Sequence, residues 1–157
     1  MSTGDEITIP LEFSGEGQLL LYTRYGDPRA VGWENKWLTE WKVQDDFSWY
    51  PIPQLTIHKH FKPILQKALA ALERANLHTD IKEAGVCYEV RCIKGSESVL
   101  SVHSWGAAVD FNMAENPLGS RGKWSDEFLN IMEANDIYCG QRWSGRKDPA
   151  HFSMANG

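Results

Sequence analysis

The chain has 157 residues, of which 42% are hydrophobic and 24% are charged, and its formal net charge is −5. This length and composition are typical of one folded domain with a core of its own. The acidic balance argues against nucleic-acid binding, which usually requires a basic surface. No apolar run is long enough to span a bilayer. We therefore expect a single domain over residues 1–157, a monomer that binds neither nucleic acid nor membranes.

The N-terminus and the cysteines indicate where the protein is made. The first six residues are polar and acidic, without the basic and apolar regions of a secretory signal. Cys87, Cys92 and Cys139 are odd in number and lack C-x-x-C spacing, so neither a disulfide framework nor a zinc ribbon is expected. We expect synthesis in the cytoplasm without a signal peptide, and three reduced thiols that pack as small apolar side chains.

The first half of the chain contains a turn signal and a cluster of tryptophans. Residues 17–23 predict a short strand that ends at a turn over residues 25–28. Trp33, Trp37 and Trp41 recur every four residues, which indicates a helix over residues 33–41. The Trp-rich segment, residues 1–55, is expected to pack on the rest of the domain. Its tryptophans suit either the core or an aromatic wall beside a substrate groove, and the sequence leaves both open.

The second half predicts two amphipathic helices and several strands. Apolar residues at helical spacing predict a helix over residues 58–76, with Pro63 in its first turn. Ser125 is a suitable N-cap for a second helix over residues 125–135. Short apolar runs predict strands at residue 81 and over residues 86–90, 107–111, 137–139 and 151–154. This order predicts an α+β fold, with helices flanking a small antiparallel sheet.

Two segments contain residues suited to metal chemistry, residues 101–112 and residues 148–152. The helical H-E-x-x-H zinc motif is absent from the chain. A catalytic zinc ion takes three protein ligands, usually imidazole nitrogens or carboxylate oxygens, and leaves one position open. His103, Asp110 and His151 would supply such a set.

The residues around this set are compatible with a metal site. Asp110 lies within an apolar run, where a carboxylate is costly unless it is paired or bound to a metal. Gly106 allows a tight turn between His103 and that run. Asp148 precedes His151 by three residues, close enough to act beside a metal without ligating it. Ordinary structural or surface histidines remain the alternative when these residues are considered alone.

The combined pattern resembles the zinc signature of the D-alanyl-D-alanine carboxypeptidase and L-alanyl-D-glutamate endopeptidase family. That signature is Ser-x-His-x-x-Gly-x-Ala-x-Asp, followed further along the chain by an acidic residue three positions before a histidine. The matching residues are Ser101, His103, Gly106, Ala108, Asp110, Asp148 and His151. The resemblance covers the catalytic motifs over residues 85–155. Its first part, residues 85–112, is similar to phage-type members of the family.

The resemblance implies a hedgehog/D-Ala-D-Ala carboxypeptidase-like fold with a Zn²⁺ site on the sheet. His103, Asp110 and His151 are then the zinc ligands. Asp148 is the catalytic base, at a position where many relatives carry glutamate. Arg91 matches an arginine that contacts the substrate or the oxyanion, although a surface or structural role is the alternative.

The basic residues near Asp148 are predicted to lie at the surface and not in the metal site. Arg142, Arg146 and Lys147 are expected to be solvated charges that can attract anionic muropeptides.

The activity implied by the resemblance is hydrolysis of the peptidoglycan stem peptide. We expect a phage or prophage endolysin that cleaves the L-Ala–D-Glu bond and acts on the cell wall after release. One alternative is a D-Ala-D-Ala carboxypeptidase or dipeptidase. Another is an inactive zinc-containing module that binds a ligand, as in the hedgehog signalling domain. Asp148 argues against the inactive module, because a binding module needs no base at that position.

Overall fold

Helices and antiparallel strands alternate along residues 16–157, the part of the chain that the computed structural model describes. The six N-terminal residues for which no secretory signal is expected lie outside the described residues. The elements are α1 (Glu16–Tyr25), α2 (Trp33–Trp37), β1 (Leu38–Trp41), α3 (Val43–Asp46), β2 (Leu55–His58), α4 (Phe61–Arg74), β3 (Ala108–Asp110), α5 (Asp126–Ala134), β4 (Tyr138–Gly140) and β5 (Asp148–Ser153). The predicted α+β class is confirmed, with two small antiparallel sheets where one was expected.

The first predicted strand is wrong, since residues 17–23 lie within the helix α1. Gln18, Leu21 and Tyr25 are buried, and their spacing of three and four residues places them on one helix face. Two of the three consecutive leucines in this segment are exposed. A run of leucines has no period of its own, so only tertiary packing decides which of them face the core.

The Trp-rich segment contains a short helix followed by a strand. α2 ends at Trp37, because the next residue, Leu38, is extended and begins β1. β1 pairs with β2, with Leu38 opposite His58 and Trp41 opposite Leu55. The helix predicted over residues 33–41 is therefore correct only in its first half. Pairing with a distant strand overrides the four-residue recurrence of tryptophan.

The two predicted amphipathic helices are confirmed as α4 and α5. His60 precedes α4, so Pro63 is its third residue and lies in the first turn, where no helical N–H is required. The buried face of α4 consists of Phe61, Leu65, Ala68, Leu69 and Leu72. Ser125 caps α5, since its hydroxyl accepts the N–H of Phe128 at 3.1 Å.

The second sheet has the strand order β3-β5-β4, so β5 pairs on both sides. The strands predicted over residues 107–111, 137–139 and 151–154 are confirmed with shifted ends. The strands predicted at residue 81 and over residues 86–90 are wrong. The N–H of Glu89 instead donates to the carbonyl of His103, in the 3₁₀ turn Val102–Trp105. Residues 86–90 therefore support this turn and do not extend the sheet.

Two apolar clusters enclose β3. The larger packs α4 and α5 against the sheet and includes Val109, Phe111 and Phe152. The smaller joins α1 to Ala108 and to the 3₁₀ turn. Because side chains alternate along a strand, Ala108 and Asp110 share one face of β3, opposite Val109 and Phe111.

None of the helices within residues 16–157 combines the length and apolarity needed to cross a bilayer. The three cysteines form no disulfide in this part of the chain. Cys87 and Cys139 are buried, and burial raises the pKa of the Cys139 thiol to about 12. Both thiols therefore pack as neutral small side chains.

His58 is a buried histidine among aromatic rings at the end of β2. Its ring lies 4.1 Å from that of Tyr25 and 5.4 Å from that of Trp37, centroid to centroid. Nδ1 accepts the backbone N–H of His60 at 3.0 Å, whereas Nε2 is buried without a hydrogen-bond partner among the described residues. Burial, assisted by the nearby His60 and Lys59, lowers the pKa of His58 to about 4.

We expect this histidine to make the fold sensitive to mild acid. The folded pKa lies below the unfolded value of about 6.5, so the unfolded chain takes up the proton first as the pH falls. Stability that is complete above pH ~6.5 is then lost progressively down to pH ~4. His58 should contribute a decrease of about 1–2 kcal/mol between pH 7 and pH 5.

Urea unfolding of the wild type and of His58→Asn at the two pH values measures this contribution. Asparagine can still accept the N–H of His60 but does not titrate, so its pH dependence should be flatter. His78→Asn is the control for loss of a histidine elsewhere in the fold. Equal flattening by both variants would contradict the assignment to His58.

Candidate metal centre and active-site cleft

His103 is held by a capped 3₁₀ turn. The turn Val102–Trp105 follows Ser101, whose hydroxyl accepts the N–H of His103 at 3.3 Å. It ends at Gly106, which has a φ of +65°, in the left-handed region that favours glycine. A Cβ atom there would also lie 2.9 Å from the backbone nitrogen of His58. The predicted tight turn therefore requires glycine at position 106 for two reasons, its positive φ and the close approach of β2.

Asp110 and His151 are brought together by strand pairing. They are register partners in the antiparallel pair of β3 and β5, and directly opposed residues project from the same face of a sheet. Asp110 Oδ1 lies 3.3 Å from Nε2 of His103 and 3.7 Å from Nδ1 of His151. The turn and the strand pair thus collect three residues that are far apart in the sequence.

The tautomer of His103 follows from its second ring nitrogen. Nδ1 lies 3.2 Å from the buried backbone carbonyl of Cys87, which can only accept a hydrogen bond. Nδ1 must therefore carry the proton, and Nε2 presents a lone pair on the side of Asp110. A carbonyl that orients a histidine in this way is a common support of metal ligands.

The three residues fit a zinc ion by chemistry and by spacing. One ligand atom from each of His103, Asp110 and His151 lies within 4.8 Å of the others. Ligands about 2.0–2.1 Å from a tetrahedral zinc lie roughly 3.4 Å apart, close to the two measured separations. Burial raises the pKa of Asp110. When the two histidines are protonated and no metal is bound, their hydrogen bonds and charges outweigh this effect and hold that pKa well below its usual range. The carboxylate is therefore ionised, as a ligand must be.

Asp148 reaches the same side of β5 as His151 through an irregularity in the sheet. Residues three apart in a regular strand face opposite sides. The register of β4 and β5 shifts, however, so that Cys139 pairs with Phe152 and the next residue, Gly140, pairs with Asp148. Such a bulge redirects side chains, and both Asp148 and His151 line one cleft.

Gly140 is required at this bulge, because a Cβ atom there would collide with the backbone carbonyl of Asp148. Burial raises the pKa of Asp148. The charge of His151 opposes this rise and that of Asp110 adds to it, and the net shift is upward. Its carboxyl group is therefore better suited to take up a proton than an ordinary surface aspartate.

Arg91 is positioned by the turn that carries His103. Its carbonyl accepts the N–H of Ser101 at 2.8 Å and the hydroxyl of Ser104 at 3.0 Å. Its Nε donates to Glu89 at 2.8 Å, and the two Nη groups have no partner among the described residues. Ser101 and Ser104 therefore act on the backbone of this region.

Arg91, His103, Asp148 and His151 line a cleft of about 660 Å³, a volume typical of small-molecule sites. The aromatic side chain in its wall is Trp143, whose ring lies 5.4 Å from that of His151. The tryptophans of the Trp-rich segment do not line this cleft. For that segment the interpretation as a wall of the cleft is wrong, and Trp33 and Trp41 belong to the core.

Of the basic residues near Asp148, Lys147 departs from the expectation of solvated charges, whereas Arg142 and Arg146 are exposed. Lys147 is half-buried, and its Nζ donates to the carbonyls of Gln141 and Trp143 at 3.1 and 2.6 Å. Arg142 pairs with Glu133 and Asp126. Arg146 lines the cleft and donates to a backbone carbonyl of the opposite loop. The sequence of a basic run does not predict which of its side chains will bond to the backbone of its own loop.

Comparison with known protein families agrees with this geometry. Residues 94–154 match the family model described as D-alanyl-D-alanine carboxypeptidase. The match includes His103, Asp110, Asp148 and His151. No curated protein matches the chain.

We expect protein purified without added metal to contain about one zinc ion per chain. His103→Ala and His151→Ala should each lose most of it, because two remaining ligands hold zinc poorly. Elemental analysis by mass spectrometry measures the metal content. His60→Ala is the control, since His60 is an exposed histidine outside the site. Retention of full zinc content by both ligand variants would contradict the assignment.

Proposed function

We propose, on the premise that the chain belongs to the D-alanyl-D-alanine carboxypeptidase family of zinc peptidases, that it hydrolyses a peptide bond in the stem peptide of bacterial peptidoglycan. The family implies a peptidoglycan peptide as the substrate. The observation that carries the proposal is the convergence of His103, Asp110 and His151 beside a cleft lined by Asp148 and Arg91. A ligand set, a base and a cation then lie around one space that can hold a peptide.

In this proposal, His103, His151 and Asp110 would hold a zinc ion through Nε2, Nδ1 and Oδ1, the atoms that face one another. A zinc ion held there supplies Lewis-acid chemistry, polarising a carbonyl oxygen and lowering the pKa of water to about 7. The Cys87 carbonyl keeps His103 in the tautomer that ligation requires.

Asp148 is the general base of the proposed reaction. Its carboxylate takes the proton of the attacking water and then delivers it to the leaving amine nitrogen. The raised pKa of Asp148 favours this transient protonation. Aspartate is one methylene shorter than the glutamate of many relatives, and the bulge at Gly140 supports its reach by placing it beside His151. The Trp143 ring lies 5.4 Å from the His151 ring, centroid to centroid, where it would shield that side of the site from water.

Arg91 is the proposed anion-binding residue next to the scissile bond. Its Nε is occupied by Glu89, which orients the guanidinium. Its two Nη groups remain available in the described structure, and they can bind a carboxylate in two-pronged fashion or stabilise the oxyanion.

The bond that we propose is the one between L-Ala and D-Glu, which would make the protein a phage or prophage endolysin that acts on the cell wall. D-Glu has a free α-carboxylate beside that bond, a suitable partner for Arg91. The similarity of residues 85–112 to phage-type members supports the same choice. Removal of a terminal D-Ala is the second candidate, because the description of the matched family names that activity. Arg91 would then hold the terminal carboxylate.

We expect Asp148→Asn to retain zinc and stability but to lose about 10²–10⁴-fold in kcat, the usual contribution of general acid–base catalysis. Zinc content, thermal unfolding and hydrolysis of a stem peptide are measured on the same preparation. Asp45→Asn is the control, since Asp45 is an exposed aspartate outside the cleft. Loss of zinc by Asp148→Asn would show that Asp148 is a ligand, and full activity would place the base elsewhere.

We expect the zinc-loaded protein to release free L-Ala from the pentapeptide L-Ala-γ-D-Glu-L-Lys-D-Ala-D-Ala and to leave a tetrapeptide that begins with D-Glu. Mass spectrometry of the products identifies the new ends. The metal-site variant His103→Ala serves as the inactive control. Release of D-Ala with an intact L-Ala–D-Glu bond would overturn the proposed bond in favour of the carboxypeptidase.

A further inference from the structure

Cationic side chains gather in the cleft although the chain carries a net charge of −5. Arg91, Lys94 and Arg146 line it, and Asp148 is the one carboxylate side chain among its lining residues in the described part of the chain. Lysine and arginine side chains therefore outnumber carboxylate side chains in the lining of this cleft, in contrast to the molecule as a whole. Such a local reversal favours an anionic ligand.

Two of these cations have no acidic partner. Arg91 pairs with Glu89 at 2.8 Å, whereas Lys94 and Arg146 form no ion pair within residues 16–157. Nη2 of Arg146 donates to the backbone carbonyl of Lys94 at 3.1 Å. A neutral carbonyl leaves the guanidinium charge uncompensated, and its other N–H groups remain available for a carboxylate.

The same hydrogen bond connects the two loops that flank the cleft. Lys94 lies in the hairpin closed by the bridge between Cys92 and Leu100. Arg146 lies in the loop between β4 and β5, immediately before the half-buried Lys147, which is tied to the carbonyls of that loop. The Arg146 guanidinium is thus held at one edge of the cleft beside the backbone of Lys94, although the side chains of both residues are exposed.

Arg142, in the same loop, is an example of an ordinary surface arginine. Arg142 pairs with Glu133 at 2.9 Å and with Asp126 at 3.3 Å, and it does not line the cleft. Its charge is satisfied by α5. Arg146 differs from Arg142 in both respects, which makes the two arginines a matched pair for experiment.

We infer that Lys94 and Arg146 form a second carboxylate-binding subsite, separate from Arg91, that holds the C-terminal carboxylate of the stem peptide. This inference rests on the proposed function and names a specificity determinant of the same cleft. With cleavage after L-Ala, the C-terminus of a tetrapeptide lies about three residues from the scissile bond, roughly 13 Å in extended form when the γ-linkage of D-Glu is included. A cleft of about 660 Å³ accommodates a peptide of that size.

The test compares the tetrapeptide L-Ala-γ-D-Glu-L-Lys-D-Ala with its C-terminal amide, which differs by one charge. The zinc-loaded wild type should favour the acid by about tenfold or more in kcat/KM, mainly through KM, as for a charge-assisted hydrogen bond. Arg146→Gln should reduce this preference by about tenfold, and Lys94→Gln should reduce it in the same direction. Arg142→Gln should retain the preference of the wild type.

Two outcomes would overturn the subsite. In one, the wild type does not distinguish the acid from the amide. In the other, Arg146→Gln slows both peptides equally, which would show that Arg146 only connects the loops.

Calorimetric titration of the zinc-loaded Asp148→Asn variant with the two peptides makes the same comparison without turnover. Preferential binding of the acid by this variant, together with no cleavage of either peptide by the wild type, supports the subsite and overturns the proposed bond alone. Equal affinity for acid and amide overturns the subsite.

Discussion

The antiparallel pairing of β3 with β5 is the constraint on which the candidate site depends. It places Asp110 opposite His151 and lets both project into one space with His103. A shift of one residue would turn Asp110 towards the face occupied by Val109 and Phe111, into the apolar core. Such a shift would bury an unpaired carboxylate and expose two large side chains. The register and the ligand set therefore stabilise each other.

Much of the rest of the fold serves to hold His103 against this strand pair. The 3₁₀ turn reaches β3 through Gly106, whose lack of a side chain lets β2 approach. The stretch around residues 87–91 supplies the carbonyl that orients the imidazole and bonds to both serines of the turn. Because Arg91 belongs to the same stretch, the geometry of the ligands and that of the anion-binding residue are coupled. A change that loosens the turn is expected to affect both.

The electrostatics of the cleft divide into an interior and an edge. In the interior, Asp110 remains ionised because two imidazoles face it, whereas the pKa of Asp148 is raised because burial dominates. The pKa values of these two neighbouring carboxyl groups are thus shifted in opposite directions, so that one is suited to ligation and the other to proton transfer. At the edge, the side chains of Lys94 and Arg146 are exposed and unpaired in the described structure. Their field is consequently weaker and more sensitive to salt than that of the interior.

The sequence by itself determined the elements that depend on local pattern. The helices α4 and α5 are recognisable because apolar residues recur at helical spacing and because Pro63 and Ser125 mark their first turns. The helix signals lie within short segments, and local physical chemistry is enough to read them. The candidate ligands are recognisable only through the resemblance to a family signature, because the two histidines and the carboxylate considered alone leave a structural or surface role open.

Only the tertiary structure decided the features that depend on distant partners. The leucine run of α1 is helical because of its packing, although its sequence predicts a strand. The residues after Trp37 form a strand because they pair with β2, although the spacing of the tryptophans predicts a helix. The bulge that turns Asp148 beside His151 arises between two strands. Gly140 permits it, but only the pairing of Gly140 with Asp148 reveals it. Arg142 and Arg146 are alike in sequence, and they differ because one meets the acidic side chains of α5 while the other meets the opposite wall of the cleft. Long-range contacts made these choices, since the free energy that separates the alternatives comes from residues far away in the chain.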